Sequence, residues 1–342
     1  MRRALLIGID NYPPPNTLNG CVADVIMLRD ALLANGDGTQ NFEIETLLDE
    51  PSGRVAMGQI ESLFAGDHEI ALLYFSGHGC ESSTGSEIVF PLEACSGGYY
   101  KGLQMRSIMD IVNRSPAKNK VIILDCCHAG DFGRYSIDID NSDLRPGVTI
   151  LSACKGDEEA KINPIAGHSV FTEALCMALN GAAADYLGNI TIGSLYAYID
   201  RFFTATEQRP VFKTNATEFV PIRKMAPKVP VGIINDLVNL FPKENEVLPL
   251  DPSYEETNTP DKVQGLKDPQ AEASNVEVMK KLQELVRIGF VEPVGTNYMY
   301  YAAMNSTGCR LTELGKYYWH LVSKKPFEIY AVTDDFAQYG VQ

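Results

Sequence analysis

Two short apolar runs end in reactive side chains. Ile70-Ala-Leu-Leu-Tyr-Phe75 stops at Ser76-Gly77-His78-Gly79, and Val121-Ile-Ile-Leu124 stops at Asp125-Cys126-Cys127-His128-Ala129-Gly130. A short apolar run closed by turn signals reads as a strand buried on both faces. Such strands belong to parallel sheets covered by helices on each side. In open sheets of that kind, ligands bind outside the carboxyl ends of the strands. The two runs therefore predict one sheet edge at which an acid, thiols and imidazoles gather.

The rest of the chain alternates around them. Residues 3–9 and 42–48 read as strands, and 22–33 and 55–64 as helices, with Asn16 or Asn19 as a candidate cap for the first. A short strand at 88–90, a helix at 104–112 and a strand at 148–153 follow. Helices at 169–179 and 192–203 come next, and 211–213 or 219–222 supplies a last strand. This pattern predicts an α/β domain over 1–225, an open, mostly parallel sheet with helices on both faces.

Residues 226–272 change character. They hold seven prolines between Pro227 and Pro269 and are rich in acids, so they read as a Pro-rich acidic linker, helical only at 231–240. Residues 273–342 recover a pattern. Val278, Leu282, Leu285, Val286 and Ile288 form a helical stripe closed by Gly289. Strand-like pieces at 290–294 and 298–303 follow, then a helix from Thr312 to Val322.

Composition narrows the setting. No apolar run approaches the ~18 residues of a membrane span, so no membrane partner is expected. Eight cysteines lie without a CxxC or a framework spacing, and the opening residues make a poor signal peptide. A cytoplasmic location is expected from these features. The net charge of −15 opposes nucleic acid and favours basic substrates, with solubility as the plain alternative.

Ser76-Gly77-His78-Gly79 and Asp125-Cys126-Cys127-His128-Ala129-Gly130 occur with His78 placed 49 residues before Cys127. Together with Ala4-Leu-Leu-Ile-Gly-Ile-Asp-Asn-Tyr12, Gly20-Cys-Val-Ala-Asp24 and Ile150-Leu-Ser-Ala-Cys-Lys-Gly-Asp-Glu158, they resemble the caspase-like fold over about residues 1–222. The likeness is to metacaspases and their prokaryotic relatives; caspases separate His and Cys by roughly 50 residues. The tail, with Arg310-Leu-Thr-Glu-Leu-Gly315, resembles the second half of a winged-helix module, a small α+β recognition or regulatory unit.

A cysteine peptidase needs a thiolate, a proton carrier and donors for the oxyanion. From the residues alone, Cys126 and Cys127 are rival nucleophiles, and strand alternation turns Cys126 inward. The resemblance selects Cys127 as nucleophile and His78 as base, with the backbone N–H groups of Gly79 and Cys127 as the oxyanion hole. It also implies an acidic pocket for an arginine or lysine side chain at Asp24, Ser76 and Asp125. A buried acid pair suits a bidentate guanidinium. Self-cleavage after Arg134 or Arg145 is a further expectation. Contiguous Cys126, Cys127 and His128 do not have zinc-site spacing. The stretch 81–87 has too few oxygens for calcium. No metal and no cofactor is expected. The resemblance further implies a role in regulated cell death or antiviral defence, a gasdermin-like protein substrate, and an activating protein partner bound by the tail. The alternatives are a catalytically silent signalling scaffold and a DNA-binding regulator acting through the tail.

Overall fold

The computed structural model describes residues 1–82, 85–92, 102–126, 144–153, 163, 167–203, 209–218, 220–261 and 266–327. The chain divides into two units, Met1–Ala226 and Pro227–Gln342.

The first unit runs β1 (Arg2–Gly8), α1 (Cys21–Leu33), β2 (Glu43–Leu48), α2 (Gly53–Ala65), β3 (Ile70–Ser76), β4 (Gly79–Ser82), β5 (Gly85–Ile88) and β6 (Leu103–Gln104). It continues with α3 (Met105–Arg114), β7 (Asn119–Asp125), β8 (Val148–Ser152), α4 (Val170–Met177), β9 (Asn189–Thr191), α5 (Ile192–Phe202), β10 (Val211–Thr214) and β11 (Pro221–Lys224). Six strands form the main sheet in the order β10-β8-β7-β3-β1-β2. All neighbours are parallel except β10, which closes the edge against β8 in the antiparallel sense.

The apolar runs are the centre of this sheet, and every residue of β3 is buried. Alternate side chains enter different cores. Leu72, Tyr74 and Ile123 pack with α1, α4 and α5. Leu73, Phe75, Ile122 and Leu124 pack with α2 and α3. The strand order reverses direction between β1 and β3, which is where open α/β sheets form their ligand crevice.

The start of α1 differs from the sequence expectation. Gly20 precedes the helix with φ +108° and has no side chain to cap it. The cap comes from Asp10, just past β1, whose carboxylate accepts the N–H groups of Cys21 and Val22 at 2.9 and 3.2 Å. A carboxylate there satisfies orphan donors and complements the helix dipole. Neither Asn16 nor Asn19 does this work. Gly8 lets the helix start so close, because a Cβ there would lie 2.5 Å from the Cys21 carbonyl oxygen.

The second unit holds α6 (Val231–Asn235), α7 (Leu237–Leu240), β12 (Val247–Leu248), α8 (Ala273–Arg287), β13 (Val291–Pro293), α9 (Met299–Met304), β14 (Cys309–Leu311) and α10 (Glu313–Lys324). Its sheet is antiparallel with the order β12-β14-β13. After α8, Gly289 at φ +77° donates to the Val286 carbonyl, and Phe290 donates to that of Leu285, ending the helix. Two expectations are corrected. The segment 298–303 is not strand-like, because Met299, Ala302 and Ala303 are buried at helical spacing and form α9. The segment 226–272 is not a linker, since it supplies α6, α7 and β12 to this unit. Asn258 in this segment is 0% exposed. The Asn258 amide nitrogen lies 2.8–3.1 Å from the carbonyls of Pro252, Lys267 and Pro269, and its oxygen accepts the Lys267 N–H. No described helix is long and apolar enough to cross a membrane.

Asn258→Ala strands several buried backbone groups, and chemical denaturation is expected to show a loss of about 3 kcal/mol. A residue in a solvated linker would leave the midpoint unchanged.

Candidate active site

β3 ends at Ser76, and Gly77 and His78 follow at the carboxyl edge of the sheet. His78 Nε2 lies 2.7 Å from the Asn16 carbonyl oxygen. A carbonyl only accepts, so Nε2 carries the proton and Nδ1 is the basic nitrogen. The His78 N–H donates to the Tyr12 hydroxyl at 3.0 Å, and that hydroxyl donates to the Val89 carbonyl at 3.0 Å. The Tyr12 ring meets the imidazole edge-on, with centroids 4.5 Å apart. Burial raises the Tyr12 hydroxyl far above its ordinary pKa, so it keeps its proton. Gly77 is required by this packing, since a Cβ would lie 2.6 Å from the Tyr12 hydroxyl. The loop carrying Tyr12 and Asn16 is tied to the end of β2. Asp49 accepts the backbone N–H groups of Asp10 and Asn11 and the Asn11 side-chain amide.

A second cluster forms on the face covered by α1 and α4. Gly8, Ser76 and Asp125 are register partners across β1, β3 and β7. The α1 helix adds Asp24. Asp24 and Asp125 are 2% and 4% exposed. Ser76 Oγ donates to Asp24 Oδ2 at 3.3 Å, and the Ser169 N–H donates to Asp24 Oδ1 at 3.1 Å. Thr172 Oγ1 donates to Asp125 Oδ2 at 2.7 Å, and sits 2.6 Å from the Tyr74 hydroxyl. The Ser169 side chain also bonds Asp125, so this one residue touches both acids.

Burial and the neighbouring Asp125 push the Asp24 carboxyl up to about 8. Burial also raises Asp125, opposed by the hydrogen bonds from Ser169, Thr172 and Tyr74. Among the described residues no lysine or arginine pairs with either acid. The cluster is a buried acid pair with hydroxyl donors around it.

The expected residues therefore fall into three groups. His78 lies at the sheet edge beside Gly79, the first residue of β4, and Asp24, Ser76 and Asp125 are brought together. Cys126 is 1% exposed and belongs to the core on the α2 and α3 side. Arg145 is exposed at the amino end of β8, the opposite edge of the sheet from His78, with its N–H on Asn113 Oδ1 at 3.2 Å. Cys127 and Arg134 lie outside the described residues. Sequence reasoning missed Asn16, Tyr12, Tyr74, Ser169, Thr172 and His168. Only Ser169 carried a signal, as a helix cap before an apolar run. No group of three or more metal-ligating side chains occurs among the described residues.

The family model of the peptidase C14 caspase domain matches residues 1–220. The chain belongs to the caspase-domain family. Curated relatives of this caspase-domain chain include Metacaspase-1B of Aspergillus fumigatus, 26% identical over 146 residues, and Metacaspase-9 of Arabidopsis thaliana, 28% identical over 149 residues. Each alignment covers 38% of the chain, and it spans 35% and 43% of those relatives. Among solved structures, protein GSU0716 from Geobacter sulfurreducens aligns with 66% of the chain and 98% of its own, at 17% identity and TM-score 0.47. Caspase-1 from Spodoptera frugiperda aligns with 66% and 90%, at 16% identity and TM-score 0.46.

The raised Asp24 value has a consequence for stability. The folded caspase domain holds a proton there that the unfolded chain releases near the ordinary value of 3.8. Stability from this group is fully present below about 4 and is lost as pH rises toward about 8. Asp24→Asn has no such proton, so its denaturation midpoint is expected to gain on wild type between pH 4.5 and 8, by on the order of 5 kcal/mol at most. A difference that does not change with pH would remove the buried-acid assignment.

Proposed function

We propose that the chain is a cysteine endopeptidase that cleaves proteins after arginine or lysine, using a Cys127–His78 dyad. The observation that carries this reading is the pairing of an oriented histidine with a buried acid pocket on the same sheet edge. His78 Nδ1 takes the Cys127 thiol proton, and the thiolate attacks the scissile carbonyl. The N–H groups of Gly79 and Cys127 hold the oxyanion. The tetrahedral intermediate collapses as the leaving amine takes the proton back from Nδ1. Water, deprotonated by the same nitrogen, then hydrolyses the acyl-enzyme. The Asn16 carbonyl supports the imidazolium that forms in each half, in place of a third acid. The substrate's P1 side chain, the one preceding the cleaved bond, enters the S1 pocket and pairs with Asp24 and Asp125, with Ser76 beside them. A guanidinium reaches both carboxylates at once.

The wider role in this reading is regulated cytoplasmic proteolysis in cell death or antiviral defence. Its substrate is a gasdermin-like protein, and the second unit receives an activating partner. Processing after Arg134 or Arg145 is part of this scheme; at Arg145 it occurs between molecules, since Arg145 lies on the far edge from His78.

Fluorogenic peptides ending in Arg, Lys or Asp test the core of the proposal. Cleavage is expected after Arg and Lys only, and Cys127→Ala is expected to lower it by about 10³-fold or more. Cleavage after Asp would overturn the pocket. Because the arriving cation must displace the proton on Asp24, KM for Arg peptides is expected to fall up to about tenfold per pH unit below pH 8, then level off. Thr172→Val removes the donor to Asp125, and kcat/KM for Arg peptides is expected to drop by roughly tenfold with little change in kcat.

A further inference from the structure

Asp49 follows the last register pair of β1 and β2, Gly8 with Leu48, and its N–H still reaches the Gly8 carbonyl at 2.9 Å. There the chain turns. Asp49 has φ +51°, in the left-handed region that a residue with a Cβ enters at a cost. The turn brings its carboxylate to the loop that leaves β1. Oδ1 accepts the N–H groups of Asp10 and Asn11 at 2.8 and 3.0 Å, and Oδ2 accepts the Asn11 side-chain amide at 2.8 Å. Glycine adopts that torsion without strain, so an aspartate there is accounted for by what its carboxylate holds. Hydrogen bonds to a charged acceptor are roughly twice as strong as neutral ones, and they offset the torsion.

The loop so held carries the supports of the histidine. The Asp10 carbonyl accepts the N–H groups of Tyr12 and Leu18, both at 2.9 Å, which draws residues 10 and 18 together. Inside the loop the Asn16 N–H bonds the Pro13 carbonyl at 3.1 Å, and this turn presents the Asn16 carbonyl to His78 Nε2. Tyr12 completes a three-cornered network. Its hydroxyl accepts the His78 N–H and donates to the Val89 carbonyl, while the Val89 N–H donates to the His78 carbonyl at 2.9 Å. Two residues of one loop thus hold the His78 main chain and ring. Asp10 ties that loop to α1, and Asp49 ties it to β2.

We propose that Asp49 is a positioning residue of the peptidase: its carboxylate fixes the loop that sets the imidazole of His78. This rests on the dyad reading above. Among the described residues Asp49 has no bond to His78, so it acts through Tyr12 and Asn16. A misplacement of about 1 Å caused far from the chemistry costs on the order of a hundredfold in rate. Loosening the loop lets the ring turn from the Asn16 carbonyl, and the loss falls on kcat. Asp10 keeps its own two bonds to α1, so KM for an Arg peptide moves less.

Variants of the full chain test this. Asp49→Gly removes the carboxylate and relaxes the torsion. Asn11→Asp, at an exposed position, sets a second carboxylate against the first. Asp49→Asn keeps an oxygen for both N–H groups, and the Asn11 amide turns over to accept the new amide. One readout is the proton resonance of the His78 ring N–H, slowed in exchange by the Asn16 carbonyl and assigned by its absence in His78→Gln. The others are kcat and KM on an Arg peptide and the denaturation midpoint. Asp49→Gly and Asn11→Asp are expected to lose the resonance and to lower kcat by on the order of tenfold or more, with KM changed about threefold at most. Asp49→Asn, alone or combined with Asn11→Asp, is expected to keep the resonance and most of kcat. A lowered midpoint with resonance and kcat intact in both weakened variants would overturn the proposal, by giving Asp49 a structural role only. Equal losses in Asn11→Asp and in the exchanged pair would overturn it too, and these two proteins decide the matter if Asp49→Gly does not fold. The expected resonance pattern in a protein that cleaves no peptide would keep the positioning role and reject the peptidase. Cleavage after Arg with resonance and kcat unchanged in both weakened variants would do the reverse.

Discussion

A carboxylate taken out of water beside a second one survives only where donors replace the lost hydration. Asp24 and Asp125 are in that position, and much of the first unit is arranged to supply those donors. Ser76 is in register with Asp125 and gives its hydroxyl to Asp24. Ser169 begins α4 and serves both acids. Thr172, one turn on, donates to Asp125 and lies against the Tyr74 hydroxyl. These residues lie on β3, β7, α1 and α4, so the pocket exists only when the sheet register and both helix starts are correct. Gly8 and Gly20 have no side chain for the same reason, since a Cβ at either would force α1 away from β1 or from the segment before α4.

One loop ties this pocket to the histidine. The chain leaving β1 caps α1 through Asp10, and α1 carries Asp24. Residues further along the same loop hold His78, through the Tyr12 hydroxyl and ring and the Asn16 carbonyl. Asp49 at the end of β2 anchors the loop by three bonds. His78 and the acid pair are therefore positioned by a single segment at the point where the strand order reverses. A displacement of that loop would move the imidazole and tilt the helix bearing Asp24 together.

The fold was legible because it is written in period and in punctuation. The runs 70–75 and 121–124 became the central strands, which end side by side at Ser76 and Asp125. Legibility ended where a functional atom has no residue signature. The Asn16 carbonyl belongs to the backbone, so no side-chain motif marks it. Tyr74 and Thr172 read as core because they are core, 0% exposed and still hydrogen-bonded. His168 stands alone in sequence, and only the Gly20–Gly167 contact brings it to Asp24. The second unit failed for a different reason. Proline and acid content averages over a segment, whereas one buried amide, Asn258, holds Pro252, Lys267 and Pro269 together. At 298–303 the tyrosines suggested a strand, but the buried set is Met299, Ala302 and Ala303, which only a helix places on one side.

The two acids are not equivalent, and the difference follows from their neighbours. Asp125 extends the central strand and is held by hydroxyls from Ser169, Thr172 and Tyr74, whose own positions are set by the core. Asp24 sits on a helix start, takes one backbone N–H and one long bond from Ser76, and faces an imidazole that does not complete a bond. The donors around Asp125 oppose the effect of its burial, which still raises its carboxyl. Those around Asp24 leave it short, and the proton it retains up to about pH 8 makes good the deficit. In the proposed function, a P1 cation entering the pocket replaces that proton. The strand acid is thus the more fully bonded of the two, and the helix acid keeps fewer donors.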